Sequence, residues 1–180
     1  MRIILQPVAA LLAISASLYA AAVHADATAI HPADAADAGG RQEIVTIRPD
    51  AAVTTKQGLP NFVGISGGNA GSKGLSMNLV VIPPGAAAKA HRHRGYETAI
   101  YVLKGRVRTR YGAGLCKSVV HEAGDFVFIP ADVPHQPVNL SSSEEARAIV
   151  ARTDPNEQES VTLYDPHEDD ADCPPAENAD

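Results

Sequence analysis

The sequence lacks several features that mark common protein classes. It has no cluster of basic residues, and its formal net charge is −6 over 180 residues, so nucleic acid is not expected as a partner. Its only two cysteines, Cys116 and Cys173, do not form a Cys-x-x-Cys pair, which argues against a thiol redox motif. No long amphipathic helical pattern is present. These absences favour one small acidic domain that is not built from helices.

Only the N-terminus carries a long apolar run, at residues 8–23. Arg2 supplies positive charge before the run, and Val23-His24-Ala25 resembles the end of a secretory signal peptide. A membrane anchor is the alternative, but the run is Ala-rich and shorter than the ~20 apolar residues of a span. We therefore expect a signal peptide over residues 1–25, and an exported chain, periplasmic or secreted, that is free of the membrane after cleavage.

Export affects the interpretation of the two cysteines. An oxidising compartment permits a bridge between Cys116 and Cys173, which would attach the C-terminal tail to the domain. Two free thiols are an equally open alternative, because the sequence does not give the separation of the side chains.

Two segments of biased composition flank the central region. Residues 26–40 are rich in Ala, Asp and Gly without periodicity, and we interpret them as a linker. Residues 165–180 are acidic and contain three prolines, which predicts a disordered tail unless Cys173 is tied down. The folded domain is expected over residues 41–164.

The central region alternates with a period of two, which predicts an all-β fold. Along residues 106–111 the three arginines must face one side of a strand, and Val107, Thr109 and Tyr111 the other. We interpret the arginine row as a solvated face rather than an anion site. Other short β-rich runs lie at residues 44–47, 75–81, 99–103, 118–121, 126–129, 146–151 and 160–163. Many short strands separated by Gly and Pro turns predict an antiparallel sandwich or barrel.

Three histidines and one glutamate form a candidate metal site. His91 and His93 are two residues apart, which on a strand places both imidazoles on one face. Glu97 follows after a bend at Gly95, and a neighbouring strand can bring His135 alongside. These ligands suit a divalent transition metal such as Mn, Fe, Co, Ni, Cu or Zn. Four protein ligands around an octahedral ion would leave two positions for water, substrate or dioxygen.

The residues around these candidates resemble the two sequence motifs of the cupin family. The first is Gly85-x5-His91-Arg92-His93-x3-Glu97-x7-Gly105, and the second is Gly124-x5-Pro130-Ala131-Asp132-Val133-Pro134-His135-x3-Asn139. The segment before Gly105 is one residue longer than usual. Asp132 stands where the family usually has glycine, and Asp tolerates the left-handed turn conformation better than most residues.

This resemblance covers residues 85–139 closely and about 41–164 loosely, and it is to small single-domain bacterial cupins. It implies a double-stranded β-helix, the jelly-roll barrel, with a metal inside near one mouth. The ligand positions carry over to His91, His93, Glu97 and His135. The first cupin motif has a second spacing variant, in which the metal-binding glutamate would stand at position 98. Here that residue is Thr98, and threonine is a poor metal ligand.

Two further residues have expected roles. Alternation from Glu97 predicts that Tyr101 points inwards, as a candidate catalytic residue with its phenol near the metal. A tyrosine that only packs the barrel is the alternative. Asn139 is expected to make a structural hydrogen bond at a strand end.

Three functions fit this site. The first is a metal-dependent enzyme acting on a small organic molecule by isomerase, lyase or dioxygenase chemistry. The second is a periplasmic module that binds or senses a small molecule and a metal without turnover, and the third is a barrel that the metal only stabilises. No further acid or base is evident, so the reaction is not predicted. A homodimer is also expected, formed through a barrel edge or by exchange of a strand from residues 41–65.

Overall fold

Two antiparallel sheets form the fold in a computed structural model of the chain, which describes residues 43–156, 158, 160–169 and 173. The strands in this part of the chain are β1 (Val53–Thr54), β2 (Pro60–Ile65), β3 (Ser76–Ile82), β4 (His91–His93), β5 (Thr98–Lys104), β6 (Arg106–Tyr111), β7 (Lys117–Glu122), β8 (Phe126–Ile129), β9 (His135–Asn139), β10 (Ala146–Arg152) and β11 (Val161–Leu163). A short helix, α1 (Gly67–Ala70), and a 3₁₀ turn at Ala113–Leu115 connect them.

The hydrophobic core lies between the two sheets. The six-stranded sheet has the order β1-β2-β3-β10-β5-β8, and the five-stranded sheet has the order β11-β4-β9-β6-β7. Ile82 and Ala146 from the first sheet pack with Val107 from the second and with Leu59 and Ala88 from the connecting loops. The all-β, double-stranded β-helix prediction is therefore confirmed.

Several predicted strands are present, and β6 and β8 have the predicted bounds. The arginines of β6 are exposed and its Val107 and Thr109 are buried, as alternation requires. The strand predicted at residues 44–47 is wrong, since this segment has no regular structure and Ile44 is 99% exposed. An apolar run without a neighbouring strand cannot satisfy its backbone groups in a sheet.

Strand β2 was not predicted, because it begins at Pro60 and contains Gly64, both unfavourable in strands. The structure gives the reason for the glycine. A Cβ atom at position 64 would lie 2.6 Å from the carbonyl oxygen of Met77 on the paired strand β3. The close approach of the two backbones, rather than local propensity, selects this residue.

Backbone conformation explains two motif positions. Asp132 has a φ of 63°, so it adopts the left-handed conformation expected of the residue that replaces glycine. Gly105, between β5 and β6, has a φ of 91°, and a Cβ atom there would lie 2.8 Å from the Cβ of Ala146. Both positive φ and contact with β10 therefore require glycine at position 105.

Asn139 connects the end of β9 to two loops, as predicted. Its side-chain Nδ2 donates to the carbonyls of Ile82, Pro83 and Glu144 at 3.0, 3.1 and 2.7 Å. Its Oδ1 accepts a hydrogen bond from the backbone N–H of Ser141 at 3.0 Å. This buried amide fixes the loops at one end of the barrel. His135 lies at the other end of β9.

The described part of the C-terminal segment lies against the barrel. Cys116 and Cys173 form a disulfide, with their Cα atoms 5.0 Å apart, which decides between the two alternatives left open above. The buried Tyr164 accepts a hydrogen bond from the Gly114 N–H at 2.8 Å and donates one to the Asp169 carboxylate. Side-chain contacts as well as the disulfide therefore hold this segment in place.

The signal peptide predicted at residues 1–25 and the linker predicted at 26–40 lie outside the described residues. Within the part that is described, no helix has the length and apolar character needed to cross a bilayer.

Candidate metal centre

Three buried histidines meet inside the barrel. His91 and His93 lie on β4, and His135 lies directly opposite His91 on the neighbouring strand β9. Each residue is 3–4% exposed. One ring nitrogen from each histidine lies within 4.8 Å of those of the other two. The His-x-His spacing on a strand and the pairing of β4 with β9 thus bring together three of the four predicted ligands.

Backbone carbonyls fix the orientation of two of these rings. His91 Nδ1 lies 2.8 Å from the carbonyl oxygen of Lys89, and His135 Nδ1 lies 2.9 Å from that of Val133. Because a carbonyl only accepts, each Nδ1 carries the hydrogen, and the lone pair of the neutral ring is on Nε2. Protein metal sites commonly orient histidine ligands through such hydrogen bonds. The two residues therefore fit a metal ligand role.

The cluster also has the protonation state that a metal requires. Burial lowers the pKa of His91 to about 3 and that of His135 to about 4. Burial, followed by the nearby Arg152 guanidinium, holds the pKa of His93 far below its usual range. All three imidazoles are therefore neutral at pH 7, and metal ions bind the neutral form.

Arg152 is a further functional candidate, which the sequence motifs did not predict. It lies at the end of β10, is 6% exposed, and places Nη2 3.2 Å from His93 Nε2 and Nε 3.3 Å from Thr98 Oγ1. The guanidinium can only donate, so in this arrangement it uses the His93 Nε2 lone pair. A metal and Arg152 cannot share that lone pair. The sequence contains one signal for this residue. By strand alternation Arg152 lies on the same inward side of β10 as Ala146 and Val150, where a charged residue is unusual.

The structure does not bring Glu97 into the cluster. Glu97 is exposed, and its backbone pairs with Thr153, donating to Oγ1 at 3.0 Å and accepting from N–H at 3.2 Å. The next residue, Thr98, is 2% exposed and points into the barrel. Since a shift of one residue moves a side chain to the opposite face of a strand, the longer bend after His93 leaves the carboxylate outside.

The inward orientation predicted for Tyr101 is wrong for the same reason. Tyr101 is 38% exposed, and its ring packs against Phe126 on the outer face of the six-stranded sheet, with 4.7 Å between the ring centroids. The inward residues of β5 are Thr98, Ile100 and Val102. The Tyr101 phenol therefore faces away from the histidines and has no contact with reacting groups there.

An apolar cavity of about 80 Å³ lies inside the barrel next to the cluster. Three of its lining residues lie two positions from residues of the cluster or its surroundings on the same strand. Pro137 follows His135 on β9, Ile100 follows Thr98 on β5, and Val150 precedes Arg152 on β10. A two-residue step along a strand is about 7 Å, so the cavity is one layer deeper than the histidines. Its polar lining residues are Thr109, His121 and Arg147. The volume is sufficient for a short apolar group.

Comparisons with known proteins agree on the fold. The family model described as a cupin domain matches residues 78–152. A sequence comparison with curated proteins found no match. The solved structure of Bacillus subtilis oxalate decarboxylase, studied for its Mn(II) centres, superposes with a TM-score of 0.53 at 19% identity and covers 63% of this chain. Only 30% of that longer chain is matched.

Two further structures are similar. Lactobacillus farciminis oxalate decarboxylase in a formate complex has a TM-score of 0.52 at 18% identity, over 65% of this chain and 33% of that one. A Klebsiella pneumoniae protein with a double-stranded β-helix domain has a TM-score of 0.50 at 15% identity, over 69% of this chain and 98% of that one. At these identities the likeness shows the fold alone.

Proposed function

Because residues 78–152 form a cupin domain, we propose that this chain is an exported protein that holds one divalent transition metal and binds a small organic molecule beside it. The observation that carries the proposal is the orientation of His91 and His135. Carbonyl hydrogen bonds on Nδ1 leave Nε2 of each neutral ring as a ligand atom, inside a group of three buried histidines. His93 completes the ligand set once Arg152 moves from its Nε2.

The surroundings of the histidines indicate the kind of molecule that binds. The Arg152 guanidinium places a positive charge beside the cluster, which favours a ligand with an oxygen-rich polar group. The cavity one layer deeper suits a short apolar group. A bound divalent metal would supply the Lewis-acid or dioxygen chemistry of isomerases, lyases and dioxygenases.

A non-catalytic binding or sensing module is the second candidate function. Within the described part of the chain, no Asp or Glu oxygen belongs to the group of close ligand atoms, and Tyr101 faces outwards. The site therefore presents imidazoles and a guanidinium but no identified general acid or base. This observation favours binding without turnover.

The first experiment measures metal content by elemental analysis of the purified protein. We expect about one transition metal per chain, and a loss of at least about tenfold in His135→Ala and His91→Ala. His167→Ala is the matched control, because this histidine is exposed in the C-terminal segment. Wild-type metal content in His135→Ala would show that the site is wrongly assigned.

A substrate screen with the metal-loaded protein, monitored by oxygen uptake and product formation, separates the two functions. Turnover that depends on His135 supports an enzyme. Saturable binding of a small molecule without turnover supports the binding module.

A separate observation supports export, and a separate experiment tests it. The disulfide between Cys116 and Cys173 is typical of proteins in oxidising compartments. We expect N-terminal sequencing of the protein from the periplasmic or secreted fraction to show cleavage after Ala25. A cytoplasmic protein that retains Arg2 would contradict this part of the proposal.

A further inference from the structure

His121 brings a polar group into an otherwise apolar part of the barrel interior. It lies on β7, directly opposite Val107 of β6, and opposite residues of an antiparallel pair point to the same face of the sheet. Val107 belongs to the hydrophobic core, so the imidazole also points inwards. Among the six residues of β7, His121 is the only one that is not exposed.

The His121 imidazole lines the apolar cavity between the two sheets. Val102 on β5 and Val127 on β8 line the same cavity from the six-stranded sheet, and Val107 lines it from the five-stranded sheet. Nε2 of His121 is shielded from solvent and has no hydrogen-bond partner among the described residues. Buried polar atoms in folded proteins are nearly always hydrogen-bonded, so this nitrogen requires a partner inside the cavity.

The protonation state of His121 indicates what kind of group this partner is. Burial lowers the pKa of His121 from the ordinary value of 6.5, although the Asp125 carboxylate acts in the opposite direction. The ring is therefore neutral at pH 7, and Nε2 is a donor or an acceptor according to the tautomer. A hydroxyl group both donates and accepts, so it pairs with Nε2 in either tautomer. A charged group would lose its hydration against this apolar lining.

The one charged side chain of the cavity lining, Arg147, does not change this preference. Its guanidinium forms an ion pair with Glu145, with 2.5 Å between Nε and Oε1, and 46% of the Arg147 side chain is exposed. The positive charge is therefore already balanced by a carboxylate and partly hydrated. The lining thus favours an uncharged polar group over an anion.

His121 lies too far from the histidine cluster to bind the same metal ion. Through its pairing with Val107 it is level with Asn139 on β9, four residues from His135. Four residues of a strand span about 13 Å. Pro137, midway between His135 and Asn139, lines the cavity. A molecule that contacts both the metal and His121 therefore needs an apolar segment between two polar groups.

We propose that His121 recognises a hydroxyl group at the end of the bound molecule farthest from the metal. The molecule is that of the proposed function, on which this inference rests. Its oxygen-rich group lies at the histidine cluster, its short apolar segment fills the cavity, and its hydroxyl pairs with Nε2 of His121. The residue determines ligand specificity and takes no part in metal binding. Molecules of the same length that lack the hydroxyl are expected to bind less tightly, because they leave Nε2 without a partner.

Titration with 1-propanol, a fragment with a short apolar segment and a hydroxyl, tests this site by long-range ¹H–¹⁵N NMR of the imidazoles. We expect saturable binding that shifts the His121 Nε2 resonance, both in the protein as purified and after EDTA treatment, because the fragment needs only the cavity. His121→Leu should bind 1-propanol roughly tenfold or more weakly. His121→Gln, whose amide also pairs with a hydroxyl, should keep most of the affinity. His167→Leu is the matched control, because His167 is exposed.

An unchanged Nε2 resonance in the wild type, a measurement that needs no variant, would show that water alone satisfies His121 and would overturn the proposal. Equal affinity of the wild type and His121→Leu, or an equal loss in His121→Leu and His121→Gln, would also overturn it. So would tighter binding of propionate than of 1-propanol. Elemental analysis of the same samples keeps the two proposals apart: 1-propanol bound at His121 in a protein without metal would contradict the proposed function and support the hydroxyl site.

Discussion

The same backbone hydrogen bond orients two residues of the candidate site, His91 and His135. In both cases the carbonyl two residues earlier in the chain accepts a hydrogen bond from Nδ1, so the loop that leads into each strand orients the ring. The acid of the first motif is positioned by a different feature, the length of the bend after His93. That bend places Thr98 inside the barrel and Glu97 outside. A one-residue difference therefore decides whether a carboxylate can reach the site.

We predict that Glu97→Gln leaves the metal content of the purified protein unchanged. The exposed carboxylate of Glu97 lies outside the group of close histidine nitrogens. His135→Gln, measured in the same way, should lose most of the metal. An equal loss in both variants would show that the bend rearranges when metal binds and that Glu97 is a ligand after all.

The low histidine pKa values predict that the metal-free protein loses stability as pH falls. In the folded state the pKa is about 3 for His91 and about 4 for His135, against 6.5 in the unfolded chain. The unfolded state therefore binds more protons below pH 6.5, and the free energy of unfolding decreases with falling pH down to about pH 3. Between pH 6.5 and 5 we expect this decrease to be about 1.5 kcal/mol per histidine.

Urea denaturation of EDTA-treated protein at several pH values measures this dependence. The double variant His91→Gln and His135→Gln should show a flatter profile, because two of the titrating groups are removed. A wild-type stability that is constant or increases as pH falls from 6.5 to 5 would contradict the burial of neutral imidazoles.

Among the elements, the loops at one end of the barrel depend on Asn139. Its buried side chain makes four hydrogen bonds to backbone groups of the loop after β3 and the loop before β10. We predict that Asn139→Ala lowers the free energy of unfolding by about 2–4 kcal/mol, since several backbone groups lose their partner. Ser143→Ala, at an exposed position of the same loop, should change it by less than about 0.5 kcal/mol. Equal melting temperatures for the two variants would contradict this role.

The strands show which features were predictable from sequence. Runs with clear alternation, such as β6, were located correctly, and the His-x-His pair with His135 identified the site. The orientation of β5 was predicted wrongly, because alternation was counted from Glu97, whose side chain is exposed. Thr98 is the inward residue at this end, so Tyr101 lies on the outer face. The choice of Gly64 depends on the close approach of β3, which local sequence does not reveal.

For the molecule as a whole, the disulfide and Tyr164 attach the C-terminal segment to the barrel beside the metal-site strand β4. Arg92 on β4 lies 5.9 Å from the Tyr164 ring centroid and 3.3 Å from the Glu168 carboxylate. The histidines of β4 point inwards, while Arg92 between them contacts this segment on the outside. The segment thus contacts the strand that carries two of the proposed ligands.

We predict that the double variant Cys116→Ser and Cys173→Ser lowers the free energy of unfolding by about 2–4 kcal/mol. The bridge closes a loop with a sequence separation of 57 residues, and its removal increases the entropy of the unfolded chain. Guanidinium denaturation of the oxidised wild type, the reduced wild type and the variant provides the measurement. The reduced wild type should match the variant, and a variant as stable as the oxidised protein would contradict a structural role for the bridge.

Anomalous diffraction from crystals of the metal-loaded protein, collected at the absorption edge of that metal, shows whether the three histidines hold it. We predict one anomalous peak per chain, about 2.0–2.3 Å from Nε2 of His91 and His135, with His93 as the third ligand and Arg152 displaced from the His93 Nε2. A peak at any other group of side chains, or no peak in protein shown to contain the metal, would contradict it.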